Sequence, residues 1–585
     1  MKTYQRIFGY VPEGKSDGIV SLCLSISSVL MTAYGYFLVC RILERLAIAG
    51  DASGALQLAT KTVVLLTAGG IAYYLSGLFS HKLGFRLETN LRKKGIDGIL
   101  KAGFRFFDLH QSGVVRKIVD DNAAQTHSAV AHMIPDTGQA ILTPILALAI
   151  GFLIDIRLGA VLLGVVALGG LLLKAMAGGE STFMQVYQDA LKKLSGETVE
   201  YIRGIQVVKI FKADVRSFRA LYDAIRDYAH YAYQYALRCK RPYVLYQWLF
   251  YGIVALLILL LSFVMGRIGD PKALAAELMM LLFLSGIVFV AFMRIMYAGM
   301  YLFQANYALD NLESLYRDIL KSRPAFGEEA QVTAYDIDVC GVDFSYGDHE
   351  VFRNFSVSLP AGRTYALVGN SGSGKSTLAK LLSGFYAVDV GHIAIGKKPT
   401  EAYTEEALSK AIAFVFQDPK LFQSSIYENV ALADRDATQS EVMEALRLAG
   451  CDEILEKFPL REETVIGTKG VHLSGGERQR IAIARAILKD APIVIMDEAS
   501  AAIDVDNEYA LKQAFQNLMK NKTVIMIAHR LSSIQNVDEI LVLEKGRIVE
   551  RGDHRTLMRA KGRYKQLVEL YHSAEEWRLN DAKVV

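Results

Sequence analysis

The residues best placed to do chemistry form one run, Gly369-Asn370-Ser371-Gly372-Ser373-Gly374-Lys375-Ser376, which fits the spacing G-x-x-x-x-G-K-[ST]. Glycines at these positions let backbone N–H groups turn inward around an anion, and the helix that follows adds a favourable dipole. Lys375 is a cation for β- and γ-phosphates, and Ser376 supplies a hydroxyl for Mg²⁺. Gly369 through Ser376, with Thr377 after them, are the candidate nucleotide-binding residues. A second candidate pair, Asp497-Glu498, carries two carboxylates side by side. The first is placed to hold Mg²⁺ and the second to polarise an attacking water, although paired acids also occur as plain strand ends.

Such groups need rigid elements behind them. The apolar run Tyr365–Val368 predicts a short buried strand ahead of the glycine-rich turn, and the Leu378, Leu381 and Leu382 spacing predicts a helix after it. A second apolar strand, Ile493–Met496, delivers Asp497 and Glu498, and a third, Thr523–Ile527, runs up to Ala528-His529-Arg530. Strand, loop and helix in that order are the context the phosphate motif requires.

Between the phosphate motifs lies Leu473-Ser474-Gly475-Gly476-Glu477-Arg478-Gln479-Arg480. This segment resembles the signature motif of ATP-binding cassette (ABC) proteins, and its spacing to the two phosphate motifs matches. The resemblance implies ATP and Mg²⁺ as cofactors. It also implies that Tyr346 stacks on adenine, that Gln417 in Phe414–Asp418 senses Mg²⁺, and that Asp504 is a D-loop aspartate. By the same resemblance His529 contacts the γ-phosphate, Glu498 and His529 are the catalytic pair, and Ser376, Gln417 and Asp497 are the metal ligands. Ser474, Gly475 and Gly476 then complete the ATP site of a second subunit, so a homodimer or heterodimer is implied. Three positions depart from the pattern: Glu477 where glutamine is usual, Thr468 where many exporters carry an acid, and Ala501 in place of serine. None removes a catalytic group, and together they leave room for unequal sites.

The chain has 585 residues, of which 52% are hydrophobic, and its long apolar runs all precede residue 300. Spanning helices need about 20 mostly apolar residues. Six segments qualify, at about 18–40, 62–80, 138–154, 158–177, 243–266 and 277–299. A soluble all-α core would not tolerate so many runs of this length. The third and fourth are separated only by Asp155–Arg157, a tight turn. The long connections at about 81–137 and 178–242 are basic and helix-patterned, which predicts that they and both termini are cytoplasmic. The expected fold class is a membrane all-α six-helix transmembrane domain over residues 1–323, plus an α/β P-loop NTPase cassette over 330–585. The net charge of +4 and the absence of a basic stripe with interleaved aromatics give no reason to invoke nucleic acid. Five scattered cysteines fit neither a zinc site nor a disulfide framework and read as buried thiols. The first fifteen residues show no cleavable leader and read as an interfacial helix.

Phe106-Phe107-Asp108, Gly113 and Asp120-Asp121-Asn122 resemble the first cytoplasmic loop of ABC exporters. Glu197–Gly204 with Val207-Val208-Lys209 resembles the second. The likeness implies the exporter (type IV) fold, with short coupling helices that dock on the cassettes. Ala131–Asp136 is similar to a heterodimeric, siderophore-importing subgroup (the yersiniabactin and mycobactin importers). The expected function is therefore ATP-driven movement of a small molecule across the cytoplasmic membrane, with a siderophore or metal chelate as the leading cargo. Drug or lipid export and an ABC-type channel regulator are the alternatives. His127, His132 and Asp136 read either as ligand groups or as a hydrogen-bonded helix entry. Arg294, inside the sixth apolar run, either meets an anionic ligand or snorkels to the interface. Tyr243, Tyr246, Trp248 and Tyr251 line a cavity or form an interfacial belt.

Overall fold

The computed structural model describes residues 2–48, 53–110, 112–177, 180–212, 218–253, 263, 271–467, 470–497, 505–527 and 535–570. The chain separates into two compact units. The first comprises Met1–Leu100 with His110–Asp318, and the second Lys101–Leu109 with Ile319–Val585.

The first unit is all helix: α1 (Lys2–Tyr10), α2 (Lys15–Leu43), α3 (Ala55–Leu100), α5 (Ser112–Ile154), α6 (Ile156–Ala177), α7 (Glu180–Arg203), α8 (Ile205–Ile210), α9 (Arg219–Gln247) and α10 (Pro271–Ser322). The short α4 (Phe104–Leu109), between α3 and α5 in the chain, belongs to the second unit. Five helices among the described residues are long and apolar enough to cross a membrane. The span expected at about 243–266 begins at the end of α9, and half of it lies outside the described residues.

The helices run far past their apolar cores. α3 has 46 residues and α10 has 52, against the roughly 20 that a bilayer needs. The segment expected to lead out of the membrane half from about 303 is simply the rest of α10, because no glycine or proline interrupts it between Gly299 and Pro324. Between α5 and α6 only Asp155 is non-helical, and its Oδ1 accepts from the Arg157 N–H at 2.6 Å.

Lipid offers no hydrophobic drive between helices, so small residues and hydroxyl groups do the joining. Ser21 Oγ donates to Ser76 O at 2.9 Å, Ser28 Oγ to Gly69 O at 2.7 Å and Ser80 Oγ to Val130 O at 2.9 Å. Ser25 Oγ donates to Pro135 O at 2.6 Å, beside one of the two prolines inside α5. These bonds stitch α2, α3 and α5 together. An apolar cluster joins α6, α9 and α10 through Leu162, Tyr246 and Leu284, and takes in Cys40 of α2 and Ala147 and Ile150 of α5. Tyr246 is fully buried with its hydroxyl on Phe289 O, whereas Tyr243, Trp248 and Tyr251 are exposed. Thus one member of that aromatic set is core and three fit a belt. Helix α1 is tied to α10 by Arg6, which pairs with Asp310 at 2.7 Å and Glu313 at 3.1 Å.

The second unit carries two sheets. A four-stranded antiparallel sheet has the order β2-β1-β4-β5, from β1 (Ile337–Tyr346), β2 (His349–Leu359), β4 (Val390–Ile395) and β5 (Lys398–Pro399). A six-stranded sheet has the order β10-β9-β3-β8-β7-β6, from β3 (Thr364–Val368), β6 (Ile412–Val415), β7 (Ile493–Asp497), β8 (Thr523–Ile527), β9 (Glu539–Glu544) and β10 (Arg547–Gly552). Its helices are α11 (Lys375–Leu382), α12 (Glu405–Ala411), α13 (Ile426–Ala431), α14 (Gln439–Leu448), α15 (Asp452–Glu456), α16 (Gly475–Lys489), α17 (Val505–Met519) and α18 (His554–Ala560). Strands β9, β3, β8, β7 and β6 are parallel to one another, and their near-continuous Val/Ile/Leu runs are buried, as a sheet covered on both faces requires. All five cysteines are free. Cys40 and Cys451 are buried, but Cys23 and Cys340 are exposed, so the expectation of uniformly buried thiols does not hold. Their separation along the chain said nothing about which face of α2 or β1 they occupy.

Candidate functional site: a phosphate cradle and the helix docked beside it

Parallel register decides where the site lies. Strand β3 pairs with β8, β8 with β7, and β7 with β6, so their carboxyl ends lie side by side. That edge is where ligands bind in open α/β sheets. It gathers the turn after Val368, Asp497 at the end of β7, and Gln417 two residues beyond β6. Asp497 is paired in register with Ile527, the last residue of β8.

The turn has no room for a side chain at its first or its last glycine. A Cβ at Gly369 would stand 2.2 Å from Leu543 O, and one at Gly374, whose φ is +103°, would stand 2.9 Å from the Phe352 ring. Asn370, Ser371 and Gly372 face solvent at the rim of the loop, while Ser373, Gly374 and Lys375 are buried. Lys375 Nζ folds back on the loop and donates to Gly369 O and Asn370 O, both at 2.9 Å. Ser373 Oγ is buried with no hydrogen-bond partner among the described residues. Such an orphan is expensive unless a ligand satisfies it. Ser376 Oγ donates to Asp497 Oδ1 at 3.3 Å. A hydroxyl and a carboxylate oxygen in contact are hard donors of the kind that suit Mg²⁺. The residues present therefore fit both a nucleotide phosphate chain and its cation. Thr377 continues helix α11, which begins at Lys375.

Tyr346 ends β1 with its ring edge-on to Phe344, centroids 5.0 Å apart. Ser474 is the N-cap of α16. Its Oγ accepts from the Glu477 N–H at 3.3 Å, while Glu477 Oε2 accepts from the Ser474 N–H at 2.7 Å, a reciprocal capping box. The Ser474 hydroxyl lies next to the N–H groups of Gly475 and Gly476 at the helix start. Glu477 Oε1 takes a further bond from Lys457 Nζ at 2.6 Å. Burial acts to raise the Glu477 carboxyl, but the Lys457 and Ser474 bonds outweigh it and hold the group below its usual value. A carboxylate where glutamine is usual is thus accommodated by a nearby lysine. Glu498, Asp504 and His529, with Thr468 and Ala501, lie outside the described residues.

Sequence reasoning missed most of what surrounds α4. Phe104 packs on Phe385 and Tyr386, with centroids 5.4 and 6.0 Å apart. Arg105 pairs with Asp389 at 2.7 Å, donates to Ser345 O at 2.6 Å, and lies over the Phe344 ring. Asp108 accepts from Lys380 Nζ at 3.0 Å and from the Tyr386 hydroxyl at 2.7 Å. Burial, then this bond, pushes the Tyr386 phenol well above its ordinary value. Lys380 lies on α11, the helix that opens at the cradle, and Ser345 is next to Tyr346. Arg105, Lys380 and Tyr386 carried no motif, and nothing in their spacing pointed to partners more than 200 residues away.

In the helical unit, His127 Nδ1 is 2.8 Å from Glu88 Oε2 and its Nε2 is 3.4 Å from His81 Nδ1, while His132 stacks on Tyr301. Asp136 accepts from the Tyr73 hydroxyl at 2.7 Å. Among the described residues no group of three or more His, Cys, Asp or Glu is arranged to hold a metal ion.

The fold and site define a class: a membrane-spanning helical unit and a P-loop nucleotide-binding unit carried on one polypeptide. Residues 18–292 match the model of the ABC transporter transmembrane region, and residues 352–501 match that of the ABC transporter ATP-binding domain. The chain is 33% identical over 544 residues to the mycobactin import ATP-binding/permease protein IrtA of Mycolicibacterium smegmatis, covering 90% of this chain and 61% of that protein. It thus spans about three-fifths of that relative's length. It is 43% identical over 274 residues to the ATP-dependent lipid A-core flippase of Haemophilus influenzae, covering 46% of this chain and 45% of the flippase. The solved structure of a bacterial Atm1-family ABC exporter with ATP bound superimposes with a TM-score of 0.75, over 96% of this chain and 98% of that one, at 24% identity. This chain belongs to the ABC transporter family and has the exporter-type fold, a multi-pass membrane unit joined to an ATP-binding cassette.

Proposed function

We propose that the chain hydrolyses ATP and couples the reaction to movement of a small amphipathic molecule across the cytoplasmic membrane, as one of two paired subunits. The observation that carries this reading is the position of α4. The segment linking two membrane helices is bolted through Asp108 to Lys380 on the helix that opens at the phosphate cradle. Lys375 and the loop N–H groups hold the phosphates, Tyr346 the adenine, and Ser376, Asp497 and Gln417 would hold Mg²⁺, which when bound neutralises charge on phosphate oxygens. Glu498 orients the attacking water and His529 contacts the γ-phosphate. Ser474, Gly475 and Gly476 reach the ATP of the other subunit, with Asp504 at the same seam. ATP then favours the closed pair, and loss of the γ-phosphate releases it. Such a shift works only if ATP binds the closed state far better than the open one. The basic connections keep both termini and the cassette in the cytoplasm.

A metal-chelating siderophore is the leading cargo, supported by the likeness to mycobactin importers over 90% of the chain. Lipid or drug export is the second reading, supported by the flippase match over 46%. The test is reconstitution of the chain in lipid vesicles, with ATPase activity and vectorial uptake read with and without a ferric chelate. ATP-dependent chelate uptake, lost in Glu498→Gln while ATP binding persists, supports the reading. Wild-type hydrolysis by Glu498→Gln removes the catalytic assignment. A nucleotide-gated ion current without uptake replaces transport with channel regulation.

A further inference from the structure

Arg294 lies on α10, and its side chain does not run out along the helix toward Ser322. Its guanidinium donates to Gln139 Oε1 on α5 and lies over the Tyr73 ring on α3, 5.4 Å from the centroid. Helical side chains tilt toward the N-terminus of their own helix. For α10 that direction leads into the apolar stretch, and the partners of Arg294 are Gln139 and Tyr73 on neighbouring helices. Gln139 stands sixteen residues before the Asp155 turn, about 24 Å at 1.5 Å per residue. That depth is inside an apolar slab about 30 Å thick.

A guanidinium stays charged in any protein environment. Among the described residues no carboxylate lies within 4 Å of it, and Gln139 is its sole hydrogen-bond acceptor. The carboxylate of this network, Asp136, is engaged by the Tyr73 hydroxyl at 2.7 Å. A charge at this depth normally faces a partner or a cavity. Arg294 faces a cavity of about 440 Å³ between α2, α5 and α10, whose wall includes Thr32, Tyr36, Gln139, Thr143 and Gly286 and is otherwise largely apolar. The volume falls in the range of small-ligand sites.

The geometry points to this cavity as the seat of a small amphiphile with a compact anionic head, a carboxylate, phosphate or sulfonate, with Arg294 as its anchor and Gln139 setting the plane of the guanidinium. The inference rests on the transport reading for its biological meaning, since the ligand would be cargo or co-cargo, but the site itself needs no ATP. A planar fork that already has one N–H on Gln139 offers its remaining donors to an oxyanion, and the Tyr73 ring fixes its tilt. The apolar walls then take the body of the ligand.

The test uses the full chain in phosphatidylcholine nanodiscs without nucleotide. Calorimetric titration, with empty nanodiscs subtracted, compares three probes of one shape: naphthalene-2-sulfonate, 2-naphthylmethanol and 2-naphthylmethylammonium. The sulfonate is expected to bind about tenfold or more tightly than the other two, the scale of a charge-assisted bond. Arg294→Gln abolishes that preference and Arg294→Lys keeps part of it. Equal binding of the three probes, or an undiminished preference in Arg294→Gln, overturns the site. Gly286→Leu fills the cavity without touching the charge, because a Cβ there enters open space. It should remove sulfonate binding, and unchanged binding would place the anion elsewhere even if Arg294→Gln fails to fold. Repeating the titration in phosphatidylglycerol nanodiscs separates sources. Arg294-dependent competition identifies a lipid head group, and unchanged affinity a soluble amphiphile. Arg294-dependent binding by a wild-type chain that moves no cargo in ATP-supplied vesicles overturns the transport reading and leaves the site standing.

Discussion

Lys375 has three N–H donors, two of them on carbonyls of its own loop at 2.9 Å. Those carbonyls hold the ammonium where a phosphate would meet it, so the side chain is positioned in advance. Lys375→Ala is expected to weaken ATP binding by about tenfold or more, the worth of a charge-assisted contact, as read by equilibrium titration with a fluorescent ATP analogue. Glu477 allows a prediction in pH. Its native pKa lies below the ordinary value of 4.5, so its contribution to stability is complete above about pH 4.5 and fades as pH falls through the lower native value. Glu477→Gln keeps the neutral capping bonds and loses the pair with the half-exposed Lys457. The expected cost is about 1 kcal/mol or less near neutral pH, shrinking toward zero at low pH. Thermal melts from pH 6 to 3.5 check this, and a constant difference across that range would show that the charge is immaterial.

At the level of elements, α4 is the piece whose behaviour is most specific. Its entry is tight: a Cβ at Gly103 would stand 2.2 Å from Ser322 O. Asp108→Ala removes the acceptor of both Lys380 and Tyr386, leaving a half-buried ammonium and a phenol without their partner. Basal hydrolysis should persist while cargo-stimulated hydrolysis falls severalfold, measured in vesicles on the same preparation. Asp108→Asn, which can still accept from Tyr386, should fall between the two.

The contrast between α4 and the phosphate cradle shows what a sequence carries openly. Gly369–Ser376 is contiguous, and its chemistry demands particular residue types at fixed spacing. The strands beside it announce themselves by apolar runs, and the spanning helices by length. Arg105, Lys380 and Tyr386 are ordinary residues whose meaning comes only from a long-range meeting. The extension of α3 was legible in the helix-patterned connection from about 81, but that of α10 past residue 303 was hidden, because a polar extension lacks the apolar stripe that marks the membrane part of a helix. Gln139 and Tyr73, which decide where Arg294 points, have no pattern of their own.

For the molecule as a whole, the proposed function requires a second copy or counterpart, because it places Ser474 at the ATP held by the other subunit's P-loop. Complementation tests this directly. Ser474→Ala and Lys375→Ala chains should each be nearly inactive alone. Mixed in equal amounts and reconstituted together, they should recover a substantial fraction of wild-type hydrolysis, because a mixed pair contains one intact composite site. No recovery in well-folded mixed samples would mean that the two groups do not meet across subunits.

Under the proposed transport function, the serine seam joining α2, α3 and α5 has an implication for how the protein would acquire new cargoes. A Cβ at Gly69 would stand 2.6 Å from Thr32 Oγ1, one at Gly138 2.8 Å from Ser25 Oγ, and one at Gly35 2.9 Å from Leu66. Little bulk can be added there without separating the helices, so those positions should tolerate almost no substitutions in a laboratory selection. Gly286, and with it the α10 wall of the cavity, has open space for new side chains. Variants with altered cargo preference should accumulate on that wall and spare the seam, leaving a fixed frame beside one readily rewritten surface.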